Sequence, residues 1–449
     1  MNGLKKALAL TLALVLAASL AVFASAEAQP ASGPVITYDP SLPVNNGDPI
    51  EVEFWYWTGS ANLFQSLADK YTAIHPNVTV KLVENPWSDY WTKLPLALQG
   101  DSGPAIFNVH NSYHENLIGY MAPYDISAED LDKEFVGVSA HVIGGKVYYI
   151  DYSMMTASIY YNTDMWAAAG LTEKDIPKTW EQFREVAKKL TIREGDTLVQ
   201  AGFNYNGGLQ GKVVGIGYQY GENLFKADNT ANLDNEAMRT AIQMFVDMYK
   251  VDGVCNNDFG NDSGETFGQG KTAMIADWGF MRGVFQQNYP DLHYGVFELP
   301  TPTEDTPYAY FRYNGESTFG VNKNAPASQQ AVAQDIIRYF LANDEIEKEF
   351  CLQMATFPAK KSLAKDADLM AIPSIAVLGD HIDRYIWPGP MPGLYEDNVK
   401  IMLQDILYNG VDVGEALKKA EATINEELAN TGFVSLEPLY KYAAEAAQR

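Results

Sequence analysis

Aromatic side chains stand at the predicted ends of strands, which is where ligands bind in open α/β sheets. Trp57 ends the first predicted strand and is followed by Thr58-Gly59-Ser60, Tyr90 follows the second strand, and Trp278 ends a later one. A flat ring covers the apolar C–H face of a sugar, whereas Asn, Asp, Glu, His and Arg side chains pair with its hydroxyls. The pattern therefore indicates a cleft that binds carbohydrate.

Two sequence motifs look like sites for catalysis or metal binding, but their residue spacing does not match the known motifs. Residues 264–272 look like a phosphate-binding loop, but Glu265 occupies the position of the required first glycine. His110 and His114 are four residues apart, yet a third ligand is missing nearby, so we expect no metal and no cofactor. A carboxylate pair for glycoside cleavage, such as Asp151 and Glu316, stays open because 57 acidic residues make any pair findable. An exported glycoside hydrolase or lyase with an aromatic cleft is therefore the alternative to a binding protein.

The elements that would position these residues alternate between strand and helix. Val52, Phe54 and Tyr56 recur at every second position, and a helical pattern over 63–74 precedes a second strand from Val78. Thr179 and Gln182 form a capping box ahead of a further helix. Other helices are predicted at 90–98, 235–250, 329–341, 345–354 and 413–428, and other extended segments at 105–109, 146–161, 295–302 and 317–322. This alternation predicts an α/β fold with parallel strands.

Composition sets the size of the fold and excludes one class of partner. The chain has 449 residues, of which 47% are apolar and 20% charged, so it can build a large core. A single core rarely grows past roughly 250–300 residues, and we therefore expect two lobes. The 32 basic and 57 acidic residues give a formal net charge of −25. Such an acidic surface repels phosphate backbones, so nucleic acid is not expected as a partner.

The first residues predict export. Lys5 and Lys6 precede an apolar stretch that ends in Ala24-Ser25-Ala26, so residues 1–26 are predicted to be a cleaved secretory signal. Residues 27–49 are rich in Pro, Gly and Asn, which predicts a flexible leader. We expect a protein of the periplasm or the cell surface.

The two cysteines bear on how the exported protein is held. Cys255 and Cys351 both lie far from the cleavage site, so the cysteine that carries a lipid anchor in many exported proteins is missing. We expect an unlipidated protein. A single disulfide would contribute little to holding a chain of this size together, and we expect the two cysteines to be buried thiols without a disulfide bond.

Short segments spread over residues 50–430 together resemble one known family. The most telling are Tyr160-Tyr-Asn-Thr-Asp164 and Pro177-Lys-Thr-Trp-Glu-Gln-Phe183, which are collinear with Phe54-Trp-Tyr-Trp57, Phe267-Gly-Gln-Gly-Lys-Thr-Ala-Met274 and Phe357-Pro-Ala359. The set resembles the extracellular solute-binding proteins of sugar ABC importers, the family 1 group that includes maltose-binding protein. The chain departs from maltose-binding protein at Asn108, where that protein has tryptophan, so the identity of the sugar is left open.

The resemblance implies an α/β fold of the periplasmic-binding-protein-like type II, with two lobes, a three-crossing hinge and a ligand cleft between the lobes. We place the crossings near 151–155, 298–302 and 357–359. The expected N-terminal lobe is 50–153 plus 300–358, and the expected C-terminal lobe is 154–299 plus 359–449.

The resemblance also implies which side chains contact the ligand. On the N-terminal lobe and the first crossing they are Trp57, Ser60, Glu84, Tyr90, Asn108, His110, Asn111 and Asp151. On the C-terminal lobe they are Trp278 and Phe280, and on less alignable loops they are Arg312, Asn314, Glu316, Arg384, Trp387 and Tyr395. The implied function is capture of a mono- or oligosaccharide by a monomer, without chemistry, for delivery to the transmembrane subunits of an ABC permease.

Overall fold

The computed structural model describes residues 33–57, 61–379, 381–389, 391–429 and 431–437. The predicted export signal and Ser60 lie outside these residues. Within the described residues, no helix is both long enough and apolar enough to cross a membrane.

The strands form two main sheets and two short hairpins. In chain order the strands are β1 (Ile50–Trp57), β2 (Val78–Asn85), β3 (Ile106–Asn108), β4 (Met121–Ala122), β5 (Val142–Ile143), β6 (Lys146–Val147), β7 (Asp151–Asn162), β8 (Ile192–Glu194), β9 (Thr197–Gln200), β10 (Met274–Trp278), β11 (Tyr294–Glu298), β12 (Phe311–Ser317), β13 (Phe319–Asn322), β14 (Phe357–Pro358) and β15 (Tyr385–Ile386).

Helices cover both sheets. They are α1 (Ala61–Ile74), α2 (Trp87–Ala97), α3 (His114–Leu117), α4 (Ala128–Glu134), α5 (Thr163–Ala168), α6 (Trp180–Leu190), α7 (Leu209–Ile216), α8 (Glu236–Lys250), α9 (Ser263–Gly268), α10 (Met281–Asn288), α11 (Ala327–Ala342), α12 (Asp344–Met354), α13 (Ala367–Met370), α14 (Pro373–Gly379), α15 (Gly393–Leu407) and α16 (Val413–Leu428).

The first sheet is the centre of the N-terminal lobe and has the order β2-β1-β3-β13-β4. Strand β1 pairs in parallel with β2 and β3, as the strand–helix–strand pattern predicts. The alternation in β1 turns Val52, Phe54 and Tyr56 into the core, where all three are buried. Helices α1 and α11 pack against this sheet. The carboxyl ends of β1 and β3 consequently point toward the same edge.

The second sheet is built around the twelve-residue strand β7. Strands β10, β11, β12 and β14 all pair with β7 in antiparallel register, and β15 pairs with β12. Ten of the residues of β7, from Asp151 to Tyr160, are buried, because the strand is covered along both faces. This strand leaves the N-terminal lobe at Asp151 and runs to the far side of the C-terminal lobe.

The return from the second sheet to the first lies later in the chain than the crossing predicted at 298–302. Glu298 still pairs with Ser158 in the second sheet, and the Ala309 N–H donates to the carbonyl of Tyr218. Strand β12 then runs along β7 and leads directly into β13 of the first sheet. Pro300 and Pro302 break the strand pattern, but the isolated bridge between Thr179 and Thr301 keeps this segment on the C-terminal lobe.

Part of the predicted leader packs against the N-terminal lobe, although most of residues 33–49 are exposed. Ile36 is only 1% exposed, and its N–H donates to Oε1 of Glu134. The Tyr38 hydroxyl donates to Oδ2 of Asp335 at 2.8 Å, and its ring lies 5.0 Å from that of Tyr339. Within residues 33–49, the side chains of Ile36 and Tyr38 thus pack on the N-terminal lobe, and the flexibility of the rest of the leader stays a prediction.

The capping box predicted for α6 is confirmed. The Thr179 hydroxyl accepts from the Gln182 N–H at 3.3 Å, and the Gln182 side chain accepts from the Thr179 N–H at 3.3 Å. Trp166 and Trp180, which lie in helical patterns, are buried in the core. Cys255 and Cys351 are both buried free thiols.

Candidate ligand-binding cleft

A cavity of about 890 Å³ lies between the two lobes and is lined by both. Its N-terminal wall comes from the ends of β1 and β3 and the start of α2. Its C-terminal wall comes from α7, the end of β10 and the loop before α15. Strands β7 and β12 form the floor, with Met155 from β7 and Arg312, Asn314 and Glu316 from β12. A cavity of this size, shared by two lobes, is typical of small-molecule sites.

The N-terminal wall is an aromatic cluster. The Trp57 ring lies 5.1 Å from Trp87 and 5.4 Å from Trp91, and the Trp91 ring stacks on Tyr113 at 3.8 Å. These contacts hold the rings in fixed orientations, because each edge or face meets another ring. Trp87 is nevertheless 41% exposed, so one face of the cluster is open to the cleft.

The C-terminal wall offers a second aromatic surface. Trp278 ends β10, and its position is fixed by the Tyr160 hydroxyl, which donates to the Trp278 carbonyl at 3.0 Å. The Arg312 guanidinium lies over the Trp278 ring, 5.1 Å from its centroid. Phe280 follows two residues later and is 45% exposed. Exposed rings on both walls can cover both faces of a flat ligand.

The loop before α15 closes one end of the cleft. Trp387 is 1% exposed and its ring stacks on the His141 ring, with centroids 4.6 Å apart. Gly389 has a φ of +84°, and a Cβ there would lie 2.8 Å from Cβ of Leu436. Only glycine suits this position, so the loop can approach the chain behind it closely. The Trp387 ring itself is held by its stacking on His141.

The cations of the cleft are paired with acids of the cleft. The Lys212 ammonium lies 3.3 Å from Oδ1 of Asp277, and an Arg312 guanidinium nitrogen lies 2.7 Å from Oε1 of Glu396. Lys212 and Arg312 are largely buried, so these pairs are screened less than surface pairs. Their positive charge is therefore compensated before any ligand arrives.

The floor is polar because side chains alternate between the two faces of β12, and the face toward the cleft carries polar residues. Arg312, Asn314 and Glu316 occupy every second position and line the cleft. Asn111 reaches the floor from the other lobe and donates to the carbonyl of Gly315 at 3.2 Å. Burial raises the pKa of the Glu316 carboxyl to about 8, with the Asp151 charge as a second cause. Burial lowers the pKa of His110 to about 4, so its imidazole is neutral at pH 7.

Most of the residues predicted to contact a ligand converge on this cleft. Those that line it are Trp57, His110, Asn111, Trp278, Phe280, Arg312, Asn314, Glu316 and Trp387. Arg312, Asn314 and Glu316 were predicted on loops, and the structure places them on the strand β12 instead.

The structure places three of the predicted N-terminal residues beside or outside the cleft. The Tyr90 side chain is fully buried, and its hydroxyl donates to the Asn108 carbonyl at 2.8 Å and lies 3.1 Å from the Trp55 carbonyl. Asn108 is also buried, and its amide donates to the Ser317 carbonyl at 3.4 Å. Glu84 is exposed on β2. In this lobe the sequence correctly predicted where the strands end, but it did not predict which of the following side chains point into the cleft.

Three further predicted residues have structural partners. Asp151 accepts from the Ser317 hydroxyl at 3.0 Å and lies 3.3 Å from Nε2 of His141. The Arg384 guanidinium donates to the carbonyls of Pro307 and Tyr308. Tyr395 is fully buried in the core. The types of these residues suggested ligand contact, but Tyr395 packs in the core, Arg384 donates to backbone carbonyls and Asp151 binds neighbouring side chains.

Some cleft residues were not predicted. Asp277 directly precedes Trp278 and could have been found as its neighbour. Gly208, Gly211 and Lys212 belong to α7 and the turn before it, a segment without a recognisable motif. Glu396 lies on α15, a helix that the sequence analysis did not identify.

The geometry does not suit catalysis by Asp151 and Glu316. A glycosidase needs two carboxyl groups that flank the scissile bond on an open surface. Asp151 is 4% exposed and is occupied by Ser317 and His141, and the lining of the cavity does not include it. His114 bonds to the Tyr149 hydroxyl at 3.0 Å and does not join His110. In the described part of the chain, no three His, Cys, Asp or Glu residues could together hold a metal ion.

Comparison with known proteins gives consistent results. A family model described as bacterial extracellular solute-binding protein matches residues 57–347. The galactooligosaccharide-binding protein of Bacillus subtilis is 23% identical over 372 residues, which cover 78% of this chain and 83% of that protein. The lactose-binding protein of Rhizobium radiobacter is 26% identical over 204 residues, which cover 43% of this chain and 47% of that protein.

A solved structure confirms the fold. The crystal structure of the cyclic alpha-maltosyl-1,6-maltose binding protein from Arthrobacter globiformis matches with a TM-score of 0.70 at 21% identity. The match covers 85% of this chain and 100% of that chain. The predicted type II architecture, with two α/β lobes and a cleft between them, is thus confirmed.

Proposed function

Because the chain belongs to the family of bacterial extracellular solute-binding proteins, we propose that it is the exported binding subunit of a sugar ABC importer. It captures a mono- or oligosaccharide in the cleft between its lobes and delivers the sugar to the transmembrane subunits of a permease. It works as a monomer without a lipid anchor, in the periplasm or at the cell surface.

The composition of the cleft is the observation that carries this proposal. Exposed Trp87 and Phe280 lie on opposite walls, and the floor between them carries the polar residues Asn314 and Glu316. Rings can stack on the C–H faces of a sugar while amides and carboxyls pair with its hydroxyls. Relatives named for galactooligosaccharide, lactose and maltotriose support the same class of ligand.

Capture depends on the two lobes moving relative to each other. Only a closed form lets both walls contact the ligand, so the sugar stabilises closure by its difference in affinity for the two forms. Strands β7 and β12 connect the lobes along the cleft floor and are therefore the segments where the hinge acts. The permease then distinguishes the closed form from the open one.

The ligand leaves unchanged. Glu316 shares the cavity with other acids, but Asp277 and Glu396 are paired with Lys212 and Arg312, and Asp262 caps α9. Asp151 does not line the cavity and is held by Ser317 and His141. Binding alone, without turnover, is what delivery to a permease requires.

Calorimetry with a panel of lactose, maltotriose, mannobiose and N,N′-diacetylchitobiose tests the proposal. We expect saturable binding of at least one sugar with one site per chain. Chromatography of the recovered sugar checks the absence of chemistry. Shortened products would support the glycoside hydrolase or lyase, and the absence of binding to every sugar would contradict the proposal.

A further inference from the structure

Glu316 lies on the cleft floor and borders two cavities. Its side chain lines the main cavity and also borders a smaller cavity of about 20 Å³ beneath, which Phe350 and Met354 of α12 help to line. The carboxyl group therefore lies between the cleft and the apolar core of the N-terminal lobe.

The surroundings of Glu316 are poor in groups that stabilise a carboxylate. Its one close donor is the Asn314 amide, at 3.5 Å from Oε1. The residue opposite on β7 is Ser153, whose hydroxyl is buried without a hydrogen-bond partner. Among the residues that the structure describes, Glu316 forms no ion pair and is only partly exposed to solvent. A carboxylate that is partly withdrawn from water without a cation is costly.

The charged groups on neighbouring elements do not supply a cation. On β7, Asp151 adds negative charge and already holds the Ser317 hydroxyl and His141. Arg312 faces the cleft on the same strand, but four residues away, which is about 13 Å along a strand. It is paired with Glu396.

The other titratable groups near the floor are neutral or compensated. His110, from the loop after β3, is neutral at pH 7. Across the cleft, Lys212 is paired with Asp277. On the core side, burial keeps Tyr152 and the Cys351 thiol of α12 protonated by raising the pKa of each. Among the described residues, no cation is therefore paired with the carboxyl group of Glu316.

We propose that Glu316 enters the ligand-bound cleft as a neutral carboxylic acid that donates a hydrogen bond to an oxygen of the sugar. This inference rests on the proposed function and names the side chain that selects for an uncharged ligand with an acceptor oxygen at the floor. A neutral carboxyl both donates and accepts, so it can pair with a hydroxyl in either sense. Its ionised form loses water on closure without gaining a cation and is therefore excluded from the closed cleft.

The proposal predicts a specific dependence of affinity on pH. With a pKa of about 8, the carboxyl of the empty protein is mostly neutral at pH 7 and about one-tenth neutral at pH 9. Because only the neutral form binds, we expect about tenfold weaker binding of the tightest sugar of the panel at pH 9 than at pH 7. Calorimetric titration of the full protein at both pH values measures this.

Two substitutions test whether Glu316 binds the sugar as a neutral acid or as a carboxylate. Glu316→Gln keeps a donor and an acceptor but cannot ionise, so its affinity should be equal at pH 7 and pH 9. Glu316→Ala should bind about tenfold more weakly than Glu316→Gln at pH 7. Glu426→Gln, an exposed position on α16, is the matched control and should keep both the affinity and the pH dependence of the natural protein.

The outcomes distinguish this inference from the proposed function. Binding at pH 7 that does not weaken by pH 9, or Glu316→Gln binding no better than Glu316→Ala, would overturn the neutral acid while leaving sugar capture intact. Absence of binding to every sugar at pH 7 would overturn sugar capture and this inference together. A carboxyl absorption in the infrared spectrum of the unliganded protein that disappears near pH 8, and is missing in Glu316→Gln, would support the proposal independently. A Glu316 carboxyl already ionised at pH 6 would overturn it.

Discussion

The cleft contains aromatic rings that line it and two cations that are each paired with an acid. Lys212 is held by Asp277 and Arg312 by Glu396. An anionic ligand would have to replace one of these acids as partner, whereas a neutral sugar leaves both pairs in place. The arrangement therefore favours an uncharged ligand that stacks on rings and bonds to the floor.

Phe280→Ala is expected to weaken sugar binding with little effect on stability. The ring is 45% exposed in the empty cleft, so the folded protein gains little from it, but a bound sugar would cover it. Full burial of a large apolar side chain contributes about 1.5–3 kcal/mol, and covering the exposed 45% of the ring would contribute about half of that. This corresponds to a roughly threefold to tenfold change in affinity. Calorimetry measures the affinity, and thermal unfolding measures the stability.

Tyr408→Ala serves as the control for this substitution. Tyr408 is 62% exposed and does not line the cleft. It should lose neither affinity nor stability to a comparable degree. If Phe280→Ala binds as tightly as the natural protein, the C-terminal wall does not contact the sugar through this ring.

Residue type and loop position predicted much of the cleft but could not separate facing side chains from buried ones. Trp57 and Trp278 end strands and line the cleft, as predicted. Tyr90 and Tyr395 have the same aromatic character, yet both are fully buried. The direction of a side chain depends on helix rotation and on partners distant in sequence, such as the Asn108 carbonyl that accepts from Tyr90. A local pattern does not contain that information.

At the scale of elements, the antiparallel pair β7 and β12 builds the floor. The two strands approach closely because Gly315 has no side chain, and a Cβ at that position would lie 1.7 Å from Oδ2 of Asp151. Asp151 has little freedom to move, since Ser317 and His141 hold its two oxygens. The glycine is therefore required by packing between the crossing strands.

Gly315→Ala is expected to destabilise the protein by about 1–3 kcal/mol, the usual effect of overpacking. Gly393→Ala is the control, because a Cβ there meets no atom within 4 Å. Chemical denaturation of both variants measures the difference. Equal stability of the two variants would show that Asp151 can move aside.

The elements themselves were largely predictable, with two informative exceptions. Helices α8, α11, α12 and α16 end within a few residues of their predicted bounds, because each has a strong apolar period. Strand β12 was not identified as a whole, because its glycine and its alternating Arg312, Asn314 and Glu316 look like a polar loop. Its polar face lines the cleft, and a candidate ligand site is where patterns of burial are expected to fail.

At the scale of the whole molecule, buried acids make the stability depend on pH. The pKa of Glu316 is raised from 4.5 to about 8 and that of Glu437 to about 7, in both cases mainly by burial. The folded protein thus binds these protons more tightly than the unfolded chain, so stability falls as pH rises from 4.5 through 8. Burial lowers the pKa of His110 and His114 to about 4, which has the opposite effect below pH 6.5.

The free energy of unfolding is therefore expected to fall between pH 6.5 and pH 9, and Glu316 contributes about 2 kcal/mol of this fall, since each pKa unit corresponds to about 1.4 kcal/mol. Burial also raises the pKa of Glu347, which acts in the same direction. Urea denaturation across this range measures the fall. Glu316→Gln should reduce the fall by about 2 kcal/mol, whereas Glu426→Gln should leave it unchanged. A stability that rises over this range would contradict the assignment of the buried acids.

Closure of the two lobes over a sugar is the central claim, and small-angle X-ray scattering tests it most directly. The measurement compares the radius of gyration of the protein alone with that at saturation by a sugar that calorimetry has shown to bind. Closure predicts a smaller radius of gyration in the presence of the sugar, reached at one sugar per chain. A sugar that binds tightly while the radius of gyration stays unchanged would contradict the claim.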